Sequence, residues 1–347
     1  MQLADVPSLR AALLTWYHAN KRDLPWRRTE DPYAIWVSEI MLQQTRVAAV
    51  IDHFKIFMDR LPTVTALALA SEQEVLALWS GLGYYRRARM MHKAAQSLVA
   101  NHQNALPSTS VDLRKLSGIG AYTSAAIASI AHGEPIAVVD GNVERVICRL
   151  AGWEEASGAG ATAQDREIGS LANRLLDPAH PGDFNQAMME LGATICLPRN
   201  PQCTACPLFT ECKTRGEHKT TPRPKMQSRP IGYALVLRKT RSRQATQEVL
   251  LEQRPAAQSV MPGLWELPML NTPEVPEEDL LLAVRHSIMQ VNYNVQVRSA
   301  TAKTVRAHTV EGGERHWISL TQAASLPLTG LARKILKRLE LLPAALS

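Results

Sequence analysis

The chain reads as two unlike domains, a mainly helical one followed by an α+β one, on three observations. Its 347 residues exceed what one ordinary domain holds. The first two hundred residues place apolar side chains at helical intervals, with no good alternating strand and no internal repeat. The character then changes after Cys212: from Lys213 to Arg243 there are ten Lys or Arg and a single acidic residue, Glu217, with Pro222, Pro224 and Pro230 among them. That composition suits an exposed, semi-extended linker. The expected organisation is a helical domain over residues 1–215, a basic linker over 216–230 and an α+β domain over 231–347.

Composition narrows the function classes. Hydrophobic residues at 46% and charged residues at 20% exclude wholesale disorder. No apolar run approaches the roughly 20 residues needed to cross a bilayer, so no membrane partner is expected. Met1 to Arg10 carries Asp5 and Pro7 where a signal peptide would have a basic start and an apolar centre, so a cytoplasmic location is expected. Lys plus Arg is 39 against 32 acidic residues, a net +7 that permits a polyanionic partner without requiring one. The charge is uneven. Its densest basic strip lies in the linker, whereas Glu154–Glu155 and Glu277–Asp279 are acidic.

The elements follow in chain order. Pro7 begins a periodic segment through Leu9, Leu13, Leu14, Trp16 and Tyr17, to about Asn20. A second helix is expected over about 34–45, where Ile35, Ile40, Met41 and Leu42 recur. Ser71 and Glu74 form a capping-box pattern ahead of Val75, Leu76, Leu78 and Trp79. Further helices are expected over about 85–102 and over 122–132, the latter stopped by Gly133. Asp183 reads as the cap of a helix reaching Thr194. In the second domain, strands are expected at 231–237, 248–251, 294–297 and 316–320, with helices at about 277–284 and 331–341.

Four of the five cysteines fall in one seventeen-residue loop, Cys196, Cys203, Cys206 and Cys212, separated by six, two and five residues. Such clustering in a reducing compartment argues for a metal centre rather than a disulfide framework. Zinc sites usually bring two separated knuckles or histidines, and here there is one Cys-x-x-Cys pair. A compact four-cysteine loop suits a [4Fe–4S] cluster better, with zinc and unligated thiols as alternatives. Cys148 lies apart on an apolar helical face and is expected in the core.

Leu116-Ser117-Gly118-Ile119-Gly120 joins two helices, its glycines allowing a sharp turn that leaves N–H groups pointing outward at a helix N-terminus, where a phosphate can sit. Twenty residues after Gly120, the run Ile136-Ala137-Val138-Val139 ends on Asp140, which is expected to face the same cleft. With the cysteine loop, these segments resemble the helix-hairpin-helix DNA glycosylases of the endonuclease III superfamily. Within it they are most similar to the MutY-type adenine DNA glycosylases. The resemblance also rests on Leu24-Pro25-Trp26-Arg27, Val37 through Thr45, Gly81-Leu82-Gly83-Tyr84-Tyr85 and Val139-Asp140-Gly141-Asn142-Val143, and covers nearly all of residues 20–215.

The resemblance implies an enzyme that flips adenine, mispaired with 8-oxoguanine or guanine, out of double-stranded DNA and cuts its N-glycosidic bond. Adenine leaves poorly until a ring nitrogen is protonated, and the sugar then passes through an oxocarbenium-like state. By resemblance Glu39 is the acid and Asp140 the carboxylate that stabilises or captures the cation, with Tyr122 and Asn142 positioning them. Relatives that also cleave the strand carry Lys at position 122. Tyr122 cannot form a Schiff base, so the expected product is an abasic site with an intact strand. Gln44 and Tyr84 are expected to enter the DNA near the lesion, and Gly118 and Gly120 to meet its backbone. Arg86, Arg87 and Arg89 either neutralise phosphates or form a solvated helix face. Trp26 and Trp79 are expected in the core. The [4Fe–4S] loop, residues 196–212, is expected to be structural and to face phosphates, and the protein to be a monomer.

Residues 230–347 resemble the family's MutT-like (Nudix-fold) second domain, most clearly at Met261-Pro262-Gly263-Leu264-Trp265-Glu266-Leu267-Pro268. Glu277, Glu278 and Asp279 lack the R-E-x-x-E-E spacing that holds magnesium in working Nudix hydrolases, so a recognition module is expected. The family reads 8-oxoguanine with a Phe-Ser/Thr-His loop after an Arg-His pair. Here Arg285-His286-Ser287 is followed by Ile288-Met289-Gln290, which implies altered preference for 8-oxoguanine, although Ala307-His308-Thr309 offers another His. Two other functions fit less of the chain: a thymine or uracil glycosylase on the same scaffold, and a non-catalytic iron–sulfur DNA-binding protein.

Overall fold

A computed structural model describes residues 5–154, 163–218, 226–240, 246–272, 277–288, 291–303, 305, 309 and 313–342. Chain contacts divide it into two compact units, Met1–Ala68 with Lys93–Arg223 and Leu69–His92 with Pro224–Ser347. Segment 69–92 groups with the carboxy-terminal strands rather than with its neighbours in sequence. Among the described residues no helix is long and apolar enough to cross a membrane.

The first unit is helical throughout its described residues. Helix α1 (Val6–Asn20) starts where the Asp5 side chain accepts from the Ser8 N–H, and it buries Leu9, Leu13 and Tyr17. Helix α2 (Pro32–Leu42) is capped by Asp31, so it begins earlier than expected. It also ends earlier, because Gln43 leaves the helix and Gln44 adopts a φ of 55°. Every residue from Tyr33 to Met41 is buried, the pattern of a helix enclosed on all sides. Helices α3 (Val47–Arg60), α4 (Val64–Leu69), α5 (Glu72–Leu78), α6 (Arg86–Asn101) and α7 (Ser110–Leu113) follow, of which α5 and the first turns of α6 lie in the segment that groups with the second unit. The Ser71 cap of α5 forms as its spacing predicts, its hydroxyl accepting from the Glu74 N–H.

Helix α8 (Ala121–His132) ends on Gly133 with φ 69°, and α9 (Gly141–Ala151) starts on Asp140. After α10 (Ala163–Leu175), α11 (Pro181–Thr194) corrects one expectation. Its N-cap residue is His180, and Asp183 lies inside the first turn. Pro181 explains the shift, since its fixed φ and missing N–H suit the first helical position. Leu9 and Leu13 of α1, Val146, Ile147 and Cys148 of α9, and Phe184, Met188 and Leu191 of α11 share one core.

The second unit holds two sheets. In one, β1 (Gln227–Leu235) runs parallel to β6 (Val291–Ser299), which pairs antiparallel with β5 (Leu280–Ile288). In the other, β3 (Gln247–Gln253) pairs antiparallel with β2 (Leu237–Lys239), β4 (Trp265–Glu266) and β7 (Arg315–Ser319). Helices α12 (Leu320–Ser325) and α13 (Gly330–Arg338) complete it. Val249 and Leu251, Val295 and Val297, and Ile335 and Leu336 meet in its core.

Two expectations are corrected here. Residues 277–284 are a single 3₁₀ turn, Glu277–Asp279, followed by strand β5 rather than a helix. The run Leu280-Leu281-Leu282-Ala283-Val284 reads equally as helix or strand, and pairing with β6 decides it. Strand β1 starts at Gln227, so the end of the expected linker is already paired in a sheet. Of the expected lesion-reading residues, Ile288 is the last of β5 and pairs with Val291. Met289, Gln290, His308, Pro222, Pro224 and Glu155 lie outside the described residues.

Candidate active site

A cleft of about 760 Å³ in the first unit brings together Glu39, Tyr122, Asp140, Asn142, Gln44, Gly118 and Gly120. These are all seven of the candidate catalytic and DNA-facing residues that lie in that unit. Ile119 is buried while an added Cβ at Gly120 would meet nothing within 4 Å, so the hairpin is pinned inside and open outside. Gly118 takes φ 80°, a conformation that glycine adopts at no steric cost.

Glu39 projects from the enclosed helix α2 and is 5% exposed. Its Oε2 accepts from the Tyr122 hydroxyl at 2.7 Å, and that hydroxyl also lies 3.4 Å from the Met189 sulfur. Burial pushes the Glu39 carboxyl up to about 7, with the Tyr122 hydrogen bond opposing it, the Asp140 charge adding to it and the Arg27 charge opposing it. Tyr122 in turn is pushed well above its ordinary value, by burial and by the Glu39 charge. It therefore stays a hydroxyl donor.

Asp140 is held by different means. As the N-cap of α9 it accepts from the backbone N–H of Asn142 at 2.9 Å and of Val143 at 2.7 Å, and from Asn142 Nδ2 at 3.1 Å. The positive end of α9 therefore faces this carboxylate. Asn142 Oδ1 accepts from Arg145, whose guanidinium also donates to the carbonyls of Gly192 and Cys196. One turn further along α9, Arg149 donates to the carbonyls of Leu197 and Pro198 and lies 3.4 Å from the Cys196 sulfur. The helix that carries Asp140 is thus bound at two points to the start of the cysteine loop. Gly192 allows this fit, because an added Cβ would stand 2.7 Å from that of Asn142.

A third carboxylate at the cleft was not legible beforehand. Glu190 of α11 is 1% exposed and accepts from Arg22 Nε and Nη2, both at 2.7 Å, and from Arg27 Nη2 at 2.8 Å. Burial works against its charge, but the hydrogen bonds from Arg22 and Arg27 outweigh that and hold it down to about 2. The partners lie more than 160 residues apart, so no local spacing reveals them. The one available signal is a lone Glu among the apolar residues of α11. Trp26, expected in the core, is 7% exposed yet also lines the cleft.

Cys196, Cys203, Cys206 and Cys212 line one small cavity with Arg149 and Phe209. Among the described residues, no three His, Cys, Asp or Glu side chains stand close enough together to hold a metal ion. As placed, the thiols surround a space rather than a point. Burial pushes the Cys206 thiol up to about 11, so an anionic sulfur here needs a compensating positive group.

The remaining candidates lie in the second unit. Tyr84 is 52% exposed and takes φ 48°; like Gln44 it occupies the left-handed region, a strain that functional sites tend to hold. Arg86 opens α6. Arg87 donates to the carbonyls of Leu82 and Gly83, and its guanidinium lies over the Trp79 and Tyr84 rings. Arg89 pairs with Glu72 and donates to the Pro262 carbonyl. Arg87 and Arg89 thus act within the fold rather than as a solvated face. Trp79 is fully buried, as expected.

Comparison with known proteins identifies the family. The model of the HhH-GPD superfamily of base excision DNA repair proteins matches residues 37–169. An adenine DNA glycosylase from Mus musculus is 35% identical over 97% of this chain and 79% of its own length. One from Homo sapiens is 48% identical over 61% of this chain, a match that spans 40% of the human protein. Among solved structures, a thermostable thymine-DNA glycosylase superposes at a TM-score of 0.55 with 28% identity, covering 60% of this chain and 96% of its own. An endonuclease III trapped on DNA superposes at 0.52 with 21% identity, covering 62% and 97%, and so shares the fold. The chain belongs to the adenine DNA glycosylases, within the HhH-GPD superfamily of base excision DNA repair proteins.

Proposed function

We propose that this protein hydrolyses the N-glycosidic bond of adenine mispaired with 8-oxoguanine or guanine in double-stranded DNA, leaving an abasic site in an unbroken strand. The observation that carries the reading is a buried Glu39 and a helix-capping Asp140 in one cleft, in a chain aligned along 97% of its length with an adenine DNA glycosylase. With its carboxyl pushed up to about 7, Glu39 keeps a substantial share of protonated form near neutrality and can donate to a ring nitrogen of the flipped base. As the bond to the sugar breaks, Asp140 supplies the negative charge that an oxocarbenium-like state requires. Water completes the reaction. Tyr122 orients Glu39 through its hydroxyl, and Asn142 orients Asp140. The Glu190–Arg22–Arg27 cluster forms a rigid charged wall against which a base can be read.

The cysteine loop fits a [4Fe–4S] cluster. Four thiols lining one cavity, with Arg149 lying against the Cys196 sulfur, support a cofactor held by all four. Bound, the cluster would supply the positive charge that the thiolates need and would brace α9 from the far side of Asp140. Anaerobically purified protein should be brown, with broad visible absorption that Cys203→Ser removes. Zinc without colour would refute the cluster. The second unit reads as a MutT-like recognition module, with Ile288, Met289 and Gln290 as the residues expected to meet the base opposite adenine. With Ile288, Met289 and Gln290 in place of an aromatic wedge and a His, its preference for 8-oxoguanine over guanine is expected to be weakened. A cytoplasmic, nucleoid-associated monomer suits the same reading.

A second reading, release of thymine or uracil from mispairs with guanine, is favoured by the superposition on a thymine-DNA glycosylase and by Tyr122. Single-turnover base release from duplexes carrying A:8-oxoguanine, A:G, T:G and U:G separates the two. Adenine should appear as free base with no strand break. Release of thymine but not adenine would select the second reading, and no release from any duplex would refute catalysis.

A further inference from the structure

Within the second unit, the turn that presents Tyr84 has positive φ along most of its length. Gly81, Gly83 and Tyr84 take φ values of 117°, 70° and 48°. The strain falls on Tyr84, the one residue of the three that is not glycine. A backbone in this state persists where surrounding contacts over-determine it. Part of that support is local. The Trp79 ring nitrogen donates to the Gly83 carbonyl at 3.1 Å, and Arg87 donates to the carbonyls of Leu82 and Gly83 while lying 5.5 Å from the centre of the Tyr84 ring.

The rest comes from about 240 positions away in the chain. Ser80 and Tyr85, the residues flanking the turn, both donate to the carbonyl of Leu328, at 2.9 and 2.8 Å. Arg333 of α13 donates through Nε to the Ser80 hydroxyl at 2.7 Å, and its Nη2 reaches the Leu326 carbonyl at 3.2 Å. Ser80, Tyr85 and Leu328 are all buried. Burial pulls the Arg333 guanidinium below its ordinary value, the mark of a cation kept out of water for its donors. A carbonyl accepting two hydroxyls, one of them held by a guanidinium, clamps both ends of one short loop. The side chain inside the clamp is exposed and aimed outward.

We propose that Arg333, Ser80, Tyr85 and the Leu328 carbonyl are positioning groups for Tyr84, so that the carboxy-terminal fold governs recognition of the mispair through this turn as well as through the β5–β6 edge. The inference rests on the reading of Tyr84 as a DNA contact. Tyr85→Phe deletes one hydroxyl and keeps the ring; Arg333→Met keeps the length of the side chain and deletes its donors. Each should weaken binding to a duplex carrying one adenine opposite 8-oxoguanine by roughly 2- to 10-fold, the worth of a buried hydrogen bond. Each should also speed hydrogen exchange at the amides of residues 82–85 in the free protein.

The discriminating experiment is a double-mutant cycle with Tyr84→Ala. If these groups act through Tyr84, their effects on binding disappear once the ring is gone. Effects of the same size in the Tyr84→Ala background, or unchanged exchange in that loop, would overturn the proposal. Should Arg333→Met fail to fold, Tyr85→Phe alone carries the cycle. If Tyr84→Ala itself leaves binding unchanged, the DNA-contact reading fails and takes the inference with it. If Tyr84→Ala weakens binding but Tyr85→Phe and Arg333→Met do not, the inference alone fails.

Discussion

Glu39 stands mid-helix in an enclosed, apolar setting with one hydroxyl donor, whereas Asp140 stands at a helix start and accepts three N–H bonds. The two sides of one cleft therefore treat the same chemical group oppositely. Around Glu39, lost hydration favours the proton; around Asp140, fixed donors leave each oxygen committed as an acceptor. A reaction that needs a proton on the base side and a negative charge on the sugar side needs this asymmetry. The lesson is that environment, not residue type, assigns the roles. Glu190 makes the same point a third time, since two guanidiniums hold it down to about 2 in an equally buried position.

The contrast can be broken at either side. Asp140→Asn keeps an oxygen for the Asn142 and Val143 N–H groups, so α9 should stay capped while the charge is lost. Excision should fall by about a thousandfold or more with duplex binding largely kept. Glu39→Gln should cost as much, because an amide accepts from Tyr122 but has no acidic proton. Single-turnover rates beside a binding isotherm check both, and substantial turnover by either variant would require a different acid or stabilising group.

Tyr122→Phe tests the smaller influence. It removes the hydrogen bond that opposes the upward push on Glu39, so the pH at which excision halves should rise above the wild-type midpoint. The maximal rate should fall about tenfold as Glu39 loses its orientation. A midpoint that moves down would contradict the pairing.

The smallest effect concerns stability. The Glu39 carboxyl is raised from 4.5 to about 7, so the folded state binds the extra proton over that window. The stability this contributes is fully present below about pH 4.5 and is lost as the pH rises through about 7. Glu39→Gln removes that cost, and at pH 8 it should be more stable than the wild type by ~3 kcal/mol. Denaturant midpoints at pH 5 and at pH 8 measure it, in about the range where such linkage acts. An equal difference at both would show that desolvation is not the cause.

Much of the helical unit could be read from the residues alone, because its signals are local. The Ser71 start of α5 and the Gly133 stop of α8 both depend on near neighbours in the chain. The meeting of Glu39 with Tyr122 spans 83 positions and was expected by resemblance, not by spacing. The Glu190 cluster had neither guide. In the second unit the Leu280–Val284 run was misread, since a short apolar segment takes its form from its partner strand. The Leu328 clamp on Ser80 and Tyr85 was invisible for the same reason: a carbonyl acceptor has no side-chain identity to recognise.

Catalysis in this cleft turns on Glu39 acting as a buried acid. Single-turnover release of adenine from an A:8-oxoguanine duplex, followed from about pH 5 to 9 in the wild type and in Glu39→Gln, addresses this directly. The wild-type rate should fall through a midpoint near 7, and the variant should be inactive throughout. A wild-type rate independent of pH, or a variant that retains it, would contradict the assignment.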